Sequence, residues 1–131
     1  MEFVDDVLSA NEAFYDAFGT ADMQAMSAVW ASKAPVTCIH PGWNPVSGRK
    51  EVLSSWKGII DSPSRPTIEC VQSTADIYGD TAVIYCYETL HGGYLLATNI
   101  FVMEDGAWRM VHHHAGGPVA PPEKRPNTQT D

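Results

Sequence analysis

The stretch LLATNIFVMEDGAWRMVHHH, residues 95–114, predicts two β-strands joined by a tight turn. Residues with β-branched and aromatic side chains are frequent in the runs 94–104 and 107–115. Asp105-Gly106 separates the two runs and is a dipeptide typical of two-residue hairpin loops. The stretch therefore predicts an antiparallel hairpin, from which the rest of the fold can be worked out.

Two more runs of this composition precede the hairpin, at residues 66–78 and 81–91. The dipeptides that separate the runs, which also suit tight hairpins, are Gly79-Asp80 and Gly92-Gly93. Four consecutive strands joined by short turns predict a mainly antiparallel sheet in the second half of the chain.

The first half of the chain carries three segments with apolar residues at helical spacing. A short strand is predicted at residues 36–40, between the second and third segments. Gly19 is expected to end the first helix, and Thr20 and Ser47 are expected to cap the second and third. The apolar positions are Val4, Val7, Leu8, Phe14, Tyr15 and Phe18, then Met23, Met26, Val29 and Trp30, then Val52, Leu53, Trp56, Ile59 and Ile60. The predicted order is α-α-β-α-β-β-β-β, an α+β domain whose three helices cover one face of a curved sheet.

Length, charge and cysteine content favour a single cytoplasmic domain. We expect one domain over residues 1–117 and a flexible, proline-rich polar tail over residues 118–131. The N-terminus lacks the pattern of a signal peptide. The sequence has no run of about 18 apolar residues, so no membrane span is expected. A formal net charge of −8 argues against a nucleic-acid partner, which needs a basic surface. The three cysteines show no CxxC spacing, so neither a disulfide framework nor a thiolate zinc site is expected.

Two-residue hairpin loops would fix which residues face each other across the sheet. They place Phe101 opposite Met110 on one side and opposite Ile84 on the other, and Asn99 opposite His112. Because side chains alternate along a strand, one face of the sheet can then be followed from strand to strand. The polar end of that face, which we expect to lie beneath the helices, carries Cys86, Glu88, Asn99, His112 and His114.

Three stretches of the chain resemble the SnoaL-like branch of the NTF2-like superfamily, which includes ketosteroid isomerase, scytalone dehydratase and polyketide cyclases. They are VTCIHPGWNPVSGRKEVLSSW (36–56), GDTAVIYCYETL (79–90) and LLATNIFVMEDGAWRMVHHH (95–114). The resemblance covers nearly everything before the tail. It implies a cone-shaped NTF2-like (cystatin-like) fold in which the first strand runs parallel beside the last. That arrangement would bring Cys38 and His40 near His112 and His114.

The candidate site is a pocket at the wide end of this cone. His112 and His114 are the candidate acid–base residues, because imidazole titrates near neutral pH. Asn99 is the third catalytic candidate, as a donor to a developing oxyanion. The candidate ligand-binding residues are His40, Trp43, Cys38, Glu88, Cys86, Tyr15 and Phe101. Each of these also has a structural interpretation, as a satisfied polar group of the sheet or as part of the core.

These residues suggest a protein that binds a small, largely apolar organic molecule. If it is an enzyme, the chemistry is cofactor-free isomerisation, dehydration or cyclisation with histidine as acid–base. The first alternative is a non-catalytic ligand-binding or assembly module. The second is a metal protein in which His40, His112 and His114 ligate zinc or another transition metal, although we expect no metal. The sequence contains no Gly-rich phosphate loop, nucleophile elbow or Rossmann fingerprint.

The opposite face of the predicted sheet is also apolar, which is unusual for a face that meets water. Its residues are Val83, Tyr85, Tyr87, Thr98, Ile100, Val102, Arg109, Val111 and His113. An exposed apolar patch with tyrosine and arginine is typical of an interface. We therefore expect a two-fold homodimer that forms through this helix-free face.

Overall fold

Three helices and a six-stranded sheet make up residues 2–123, the part of the chain that the computed structural model describes, with side chains from residue 4 onward. The elements are α1 (Glu2–Gly19), α2 (Met23–Val29), β1 (Thr37–Ile39), β2 (Val46–Ser47), α3 (Arg49–Ile60), β3 (Glu69–Tyr78), β4 (Thr81–Leu90), β5 (Gly93–Glu104) and β6 (Ala107–Val119). The α+β class and the element order are as predicted, and β2, which pairs with β1, is the one addition. Of the predicted tail, residues 124–131 lie outside the described residues.

The strands lie in the order β2-β1-β6-β5-β4-β3. The strands β1 and β6 pair in parallel, with Cys38 opposite His113, whereas the other named pairs are antiparallel. The expected adjacency of the first and last strands is therefore confirmed. None of the helices within residues 2–123 combines the length and apolar character needed to cross a membrane.

The main core lies between the three helices and the inner face of the sheet. The predicted stripe of α1 is buried at Val7, Phe14 and Phe18, and Asn11 lies in the same stripe with 1% of its surface exposed. The positions 7, 11, 14 and 18 follow the 3.6-residue period of one helical face. A polar side chain at such a position must find partners inside the protein, because burial without hydrogen bonds is costly.

The hairpins follow the prediction at two of three turns. Gly79-Asp80 and Asp105-Gly106 form the β3–β4 and β5–β6 loops. In the β4–β5 hairpin, however, the loop is formed by His91 and Gly92, which have φ values of 51° and 80°. A type I′ turn needs positive φ at both central positions, and histidine tolerates that region better than most side chains.

The changed β4–β5 loop shifts the register by two residues. Ile84 therefore lies opposite Asn99, not opposite Phe101, and the predicted pairing of Ile84 with Phe101 is wrong. A shift of two keeps every side chain on its predicted face, because the side-chain period of a strand is two residues. Glu88 is accordingly buried beneath the helices, with 3% of its surface exposed.

A bulge in β6 has the opposite effect. Phe101 lies opposite Met110 as predicted, but Ile100 lies opposite His112, which leaves Val111 as an extra residue. A one-residue offset reverses all side chains that follow it. His113 is therefore the buried histidine of β6, opposite Asn99 and 2% exposed.

The predicted inward orientation of His112 and His114 is wrong for this reason. His112 is half-buried and His114 is exposed, and both side chains lie on the helix-free face. His113, between them in the strand, is buried and points inward. The predicted placement of His113 on that face is wrong as well.

Two predicted helix caps also differ. The side chain of Asp22, not that of Thr20, caps α2 by accepting the Ala25 N–H at 3.0 Å. Thr20 instead donates its hydroxyl to the Asp16 carbonyl. The N-cap of α3 is Gly48, with φ of 91° and no side-chain cap, in place of Ser47.

Candidate functional site

A cavity of about 210 Å³ lies between the helices and the inner face of the sheet. Its apolar wall contains the rings of Phe14, Phe18, Trp43 and Trp56. Its polar groups are Tyr15, His40, Glu88 and His113. Among the described lining residues there is no lysine or arginine, so the cavity carries no fixed positive charge.

Glu88 lies at the polar end of this cavity. The Tyr15 hydroxyl donates to Glu88 Oε2 at 2.7 Å, and His113 Nε2 lies 3.9 Å from the same oxygen. Burial raises the pKa of the Glu88 carboxyl, and the hydrogen bond from Tyr15 partly opposes that rise. The carboxyl group therefore holds its proton to a higher pH than an exposed glutamate does.

The protonation of His113 follows from its partner. His113 Nδ1 lies 2.6 Å from Asn99 Oδ1, and an amide oxygen can only accept. Nδ1 therefore carries the hydrogen, and Nε2 keeps a free lone pair on the side of Glu88. Burial, together with smaller effects of the nearby imidazoles of His40, His112 and His114, lowers the pKa of His113 to about 3. The imidazole is neutral at neutral pH.

The Asn99 amide links the sheet to α1. Its nitrogen donates to Asn11 Oδ1 at 2.8 Å and to the Tyr15 hydroxyl oxygen at 3.2 Å. These two contacts orient the amide so that its oxygen faces His113. Asn11 and Tyr15 are one helical turn apart, and α1 therefore supplies two partners of the network at once. The chain Asn11–Asn99–His113 fixes the imidazole, while Tyr15 fixes the carboxyl group.

His40 forms part of the cavity wall. The centroid of its ring lies 4.6 Å from the ring centroids of both Trp43 and Trp56. The Ser55 hydroxyl donates to the Val52 carbonyl at 2.7 Å, so His40 Nε2–H donates to Ser55 Oγ at 2.9 Å. Burial lowers the pKa of His40 to about 4. His40 is thus a neutral side chain held between two indoles.

The structure places four of the predicted site residues, Tyr15, His40, Trp43 and Glu88, on the cavity wall. Asn99 and Cys86 lie one layer behind it, in contact with Tyr15. Cys38 lies beside His40, with Sγ 3.7 Å from Nε2, and Phe101 belongs to the main core. The residues that sequence reasoning missed at the cavity include His113 and the aromatic side chains of Phe14, Phe18 and Trp56.

His112 and His114 lie outside the cavity. His112 Nδ1 is 2.6 Å from the Thr37 hydroxyl, and its ring centroid is 6.4 Å from that of His114. His40 is on the other side of the sheet, so the three imidazoles considered as metal ligands do not converge. Within residues 2–123, no three side chains of His, Cys, Asp or Glu are grouped as metal ligands would be.

Comparison with known proteins gives the family of this chain. A model of the SnoaL-like domain matches residues 7–120, which is most of the chain. The chain belongs to the SnoaL-like family. The resemblance seen in the sequence is therefore confirmed, and the SnoaL-like fold typically serves ligand binding or isomerase- and dehydratase-like chemistry.

Solved structures similar to this SnoaL-like protein share its NTF2-like, cystatin-like fold. A candidate dehydratase of the NTF2-like family from Streptomyces avermitilis is 32% identical, with a TM-score of 0.83, over 92% of this chain and 98% of that one. A candidate calcium/calmodulin-dependent protein kinase type II association domain from Thiobacillus denitrificans is also 32% identical, with a TM-score of 0.73, over 84% and 92% of the two chains.

One curated relative of this SnoaL-like protein is the F-box protein SKIP8 of Arabidopsis thaliana, which is 31% identical over 111 residues. The match covers 83% of this chain and 48% of the relative. The chain thus spans about half the length of that protein.

Proposed function

We propose that this SnoaL-like protein binds a small, largely apolar organic molecule and moves a proton on it without a cofactor, as isomerases and dehydratases do. The observation that carries the proposal is the pair formed by His113 Nε2 and Glu88 Oε2, 3.9 Å apart at the polar end of the aromatic cavity. One group is a neutral base and the other is a carboxyl group with a raised pKa. At neutral pH the imidazole is unprotonated and can accept a proton, and the raised pKa of Glu88 favours the carboxyl form that can donate one.

The size and lining of the cavity limit the ligand. About 210 Å³ is less than the roughly 300–1,000 Å³ typical of pockets for drug-sized ligands, so a molecule of about one ring fits. Aromatic rings and the lack of lysine or arginine among the described lining residues favour a neutral ligand over a carboxylate or a phosphate. A ketone or a hydroxyketone meets both conditions.

The pair can move a proton in a balanced cycle. His113 Nε2 takes a proton from a carbon next to the carbonyl, while protonated Glu88 donates to the carbonyl oxygen or to a departing hydroxyl. In an isomerisation, the Glu88 carboxylate then takes a proton back from the enol oxygen and His113 gives its proton to a different carbon, which restores both groups. In a dehydration, water leaves with the proton of Glu88, and the proton on His113 then passes to the nearby carboxylate. Asn99 and Tyr15 keep the imidazole and the carboxyl group in position throughout.

Deuterium exchange tests this proposal without knowledge of the natural substrate. We expect a panel of small cyclic and aromatic ketones in D₂O to contain members whose α-protons exchange in the presence of the protein, as followed by NMR. His113→Gln should slow that exchange by about 100-fold or more, because removal of a positioned base typically has this effect. Glu88→Gln should also slow it.

His112→Gln is the matched control, because His112 lies on the outer face of the same strand. It should keep the wild-type exchange rate. Exchange that survives in His113→Gln, or that is lost equally in His112→Gln, would contradict the proposed chemistry.

A second candidate is a non-catalytic binding or assembly module. The similarity to the candidate association domain favours it, since that relative is named for assembly rather than for catalysis. In this case the same ketones would shift the resonances of the cavity residues without any exchange at their α-carbons.

We also propose a homodimer that forms through the helix-free face of the sheet. Tyr85 and Leu96 on this face are 46% and 41% exposed, and Ile100 lies between the buried Asn99 and Phe101 and therefore points to the same outer face. With the bulge of β6 taken into account, His112 and His114 belong to this surface and His113 does not.

Charge on the helix-free face should separate the protomers. Ile100→Lys places two ammonium groups close to the two-fold axis without touching the inner core, so the variant is expected to sediment as a monomer at micromolar concentration. Lys57→Gln, an exposed change on α3, should leave the sedimentation coefficient unchanged. A wild-type protein that is already monomeric at that concentration would contradict the proposal.

A further inference from the structure

Two thiols, Cys70 on β3 and Cys86 on β4, lie behind the cavity and take no part in the proposed proton transfer. Cys70 lies opposite Glu88, two residues from Cys86 along β4. Between Val71 and Thr74 the register shifts, so Cys86 faces a bulge in the neighbouring strand. The bulge turns Ser73, three residues beyond Cys70, to the same side of the strand. This is seen in the distance of 3.3 Å between the Cys70 sulfur and Ser73 Oγ.

The two thiols share one apolar cluster but differ in exposure. Cys70 packs against the small cluster that contains Cys86, and each thiol affects the pKa of the other. Cys86 is fully buried, whereas Cys70 is half-buried and lines an outer groove of about 450 Å³. An attacking reagent can therefore reach Cys70 from the groove, whereas Cys86 has no exposed surface.

The surroundings of Cys70 favour its thiolate. The neighbouring Cys86 thiol lowers the pKa of Cys70 most, Ser73 and Asn11 lower it further, and burial and the charge of Glu88 oppose them. The thiolate is the nucleophilic form of cysteine. The neighbouring Cys70 thiol and burial raise the pKa of Cys86, so Cys70 is the thiol that ionises first.

The groove selects the reagent by charge. Glu12, Asp16 and Glu69 line it together with Cys70, and the described groove residues include no lysine or arginine. Three carboxylates repel anionic reagents such as glutathione disulfide. A small neutral hydroperoxide meets no such barrier.

We propose that Cys70 and Cys86 form an oxidisable dithiol, in which a hydroperoxide oxidises Cys70 and Cys86 then closes an internal disulfide. The Cys70 thiolate attacks the terminal peroxide oxygen, the O–O bond breaks, and the products are a sulfenic acid and either hydroxide or an alkoxide, which takes a proton from water to give the alcohol. The Cys86 sulfur then attacks the sulfenic sulfur, an S–S bond forms, and one water leaves. With hydrogen peroxide, two thiols and one peroxide give one disulfide and two waters.

The disulfide would change the hydrogen bonding around Tyr15. The Cys86 sulfur lies 3.3 Å from the Tyr15 hydroxyl, which itself donates to Glu88. Oxidation removes the Cys86 thiol hydrogen and draws the sulfur toward Cys70. The oxidation of the dithiol does not depend on the proposed proton transfer, so experiments on the thiols alone can test it.

Thiol mapping of the untagged, fully reduced chain tests the proposal. After treatment with hydrogen peroxide and alkylation under denaturing conditions, we expect two of the three cysteines to resist alkylation. Peptide mass spectrometry should show them as a Cys70–Cys86 link that dithiothreitol reverses. Glutathione disulfide should oxidise Cys70 at least about tenfold more slowly than hydrogen peroxide does, because the carboxylates of the groove repel it. Cys38, which is fully buried, should remain alkylatable and serves as the internal control.

Single variants separate the two roles. Cys86→Ser should stop at a Cys70 sulfenic acid that dimedone traps, and Cys70→Ser should leave Cys86 unoxidised. Circular dichroism that matches the wild type shows that each variant is folded. The proposal is overturned if peroxide leaves all three thiols alkylatable, if Cys70 is oxidised in the wild type without the link to Cys86, or if Cys70→Ser does not protect Cys86.

Discussion

Acidification from pH 7 to pH 4 is expected to lower the free energy of unfolding by on the order of 3 kcal/mol through His113 alone. The pKa of His113 falls from its usual 6.5 to about 3 on folding, because burial disfavours the imidazolium. Between these two values the unfolded chain binds more protons than the folded protein. Stability is therefore fully present above about pH 6.5 and is lost as the pH falls toward 3.

Two other buried groups shape the same curve. Burial lowers the pKa of His40 to about 4. The contribution of His40 to the stability of the protein is therefore also lost as the pH falls through this range. Glu88 acts with the opposite sign, because its raised pKa means that the folded protein binds the extra proton. Its contribution rises as the pH falls toward 4.5 and therefore opposes the loss from the two imidazoles.

Urea unfolding at pH 7, 6, 5 and 4 measures this effect. His113→Gln removes the titrating group, so its stability should depend on pH less steeply than that of the wild type. His91→Asn is the control, because His91 is exposed in the β4–β5 turn and asparagine tolerates its positive φ. An equally steep loss in His113→Gln and in the wild type would show that His113 is not buried as a neutral imidazole.

The Asn99→Leu variant is expected to unfold with a free energy about 2–4 kcal/mol lower than that of the wild type. Leucine has nearly the shape of asparagine but neither donates nor accepts. The change leaves His113 Nδ1–H and Asn11 Oδ1 buried without their partners at 2.6 and 2.8 Å. Each unsatisfied buried group typically costs about 1–3 kcal/mol.

Thr98→Val is the matched control for this prediction. Thr98 is the preceding residue of β5 and is only half-buried, so the substitution should change the free energy of unfolding by less than about 0.5 kcal/mol. Equal effects of the two substitutions in urea unfolding at pH 7 would mean that the Asn99 amide does not hold the network together. A larger pH dependence in Asn99→Leu would add support, since His113 would then lack its fixed tautomer.

Much of the fold could be read from local patterns. The apolar spacing in α1, the Asp105-Gly106 turn and the β-rich runs gave the class and the order of elements, because each depends on residues that are near each other in the chain. Asn11 is a further local signal, since a polar residue in the buried stripe of α1 indicates an internal partner.

The candidate site was only partly readable. Glu88 was placed on the correct face although the β4–β5 register was wrong, because a shift of two residues preserves the alternation of side chains. The histidines were placed on the wrong faces, because a shift of one residue reverses the alternation of side chains. An even shift in register thus keeps each side chain on its predicted face, and an odd shift moves it to the other face.

Local sequence patterns predicted the helices, every strand except β2, two of the three turns and the presence of three histidines in β6. Which of these histidines faces the cavity depends on tertiary contacts. The extra residue Val111 is accommodated where β6 pairs with β5 on one side and meets β1 and Trp30 on the other. Such a bulge depends on packing between segments that are far apart in the chain, and no local pattern in VHHH distinguishes the buried His113 from its two neighbours.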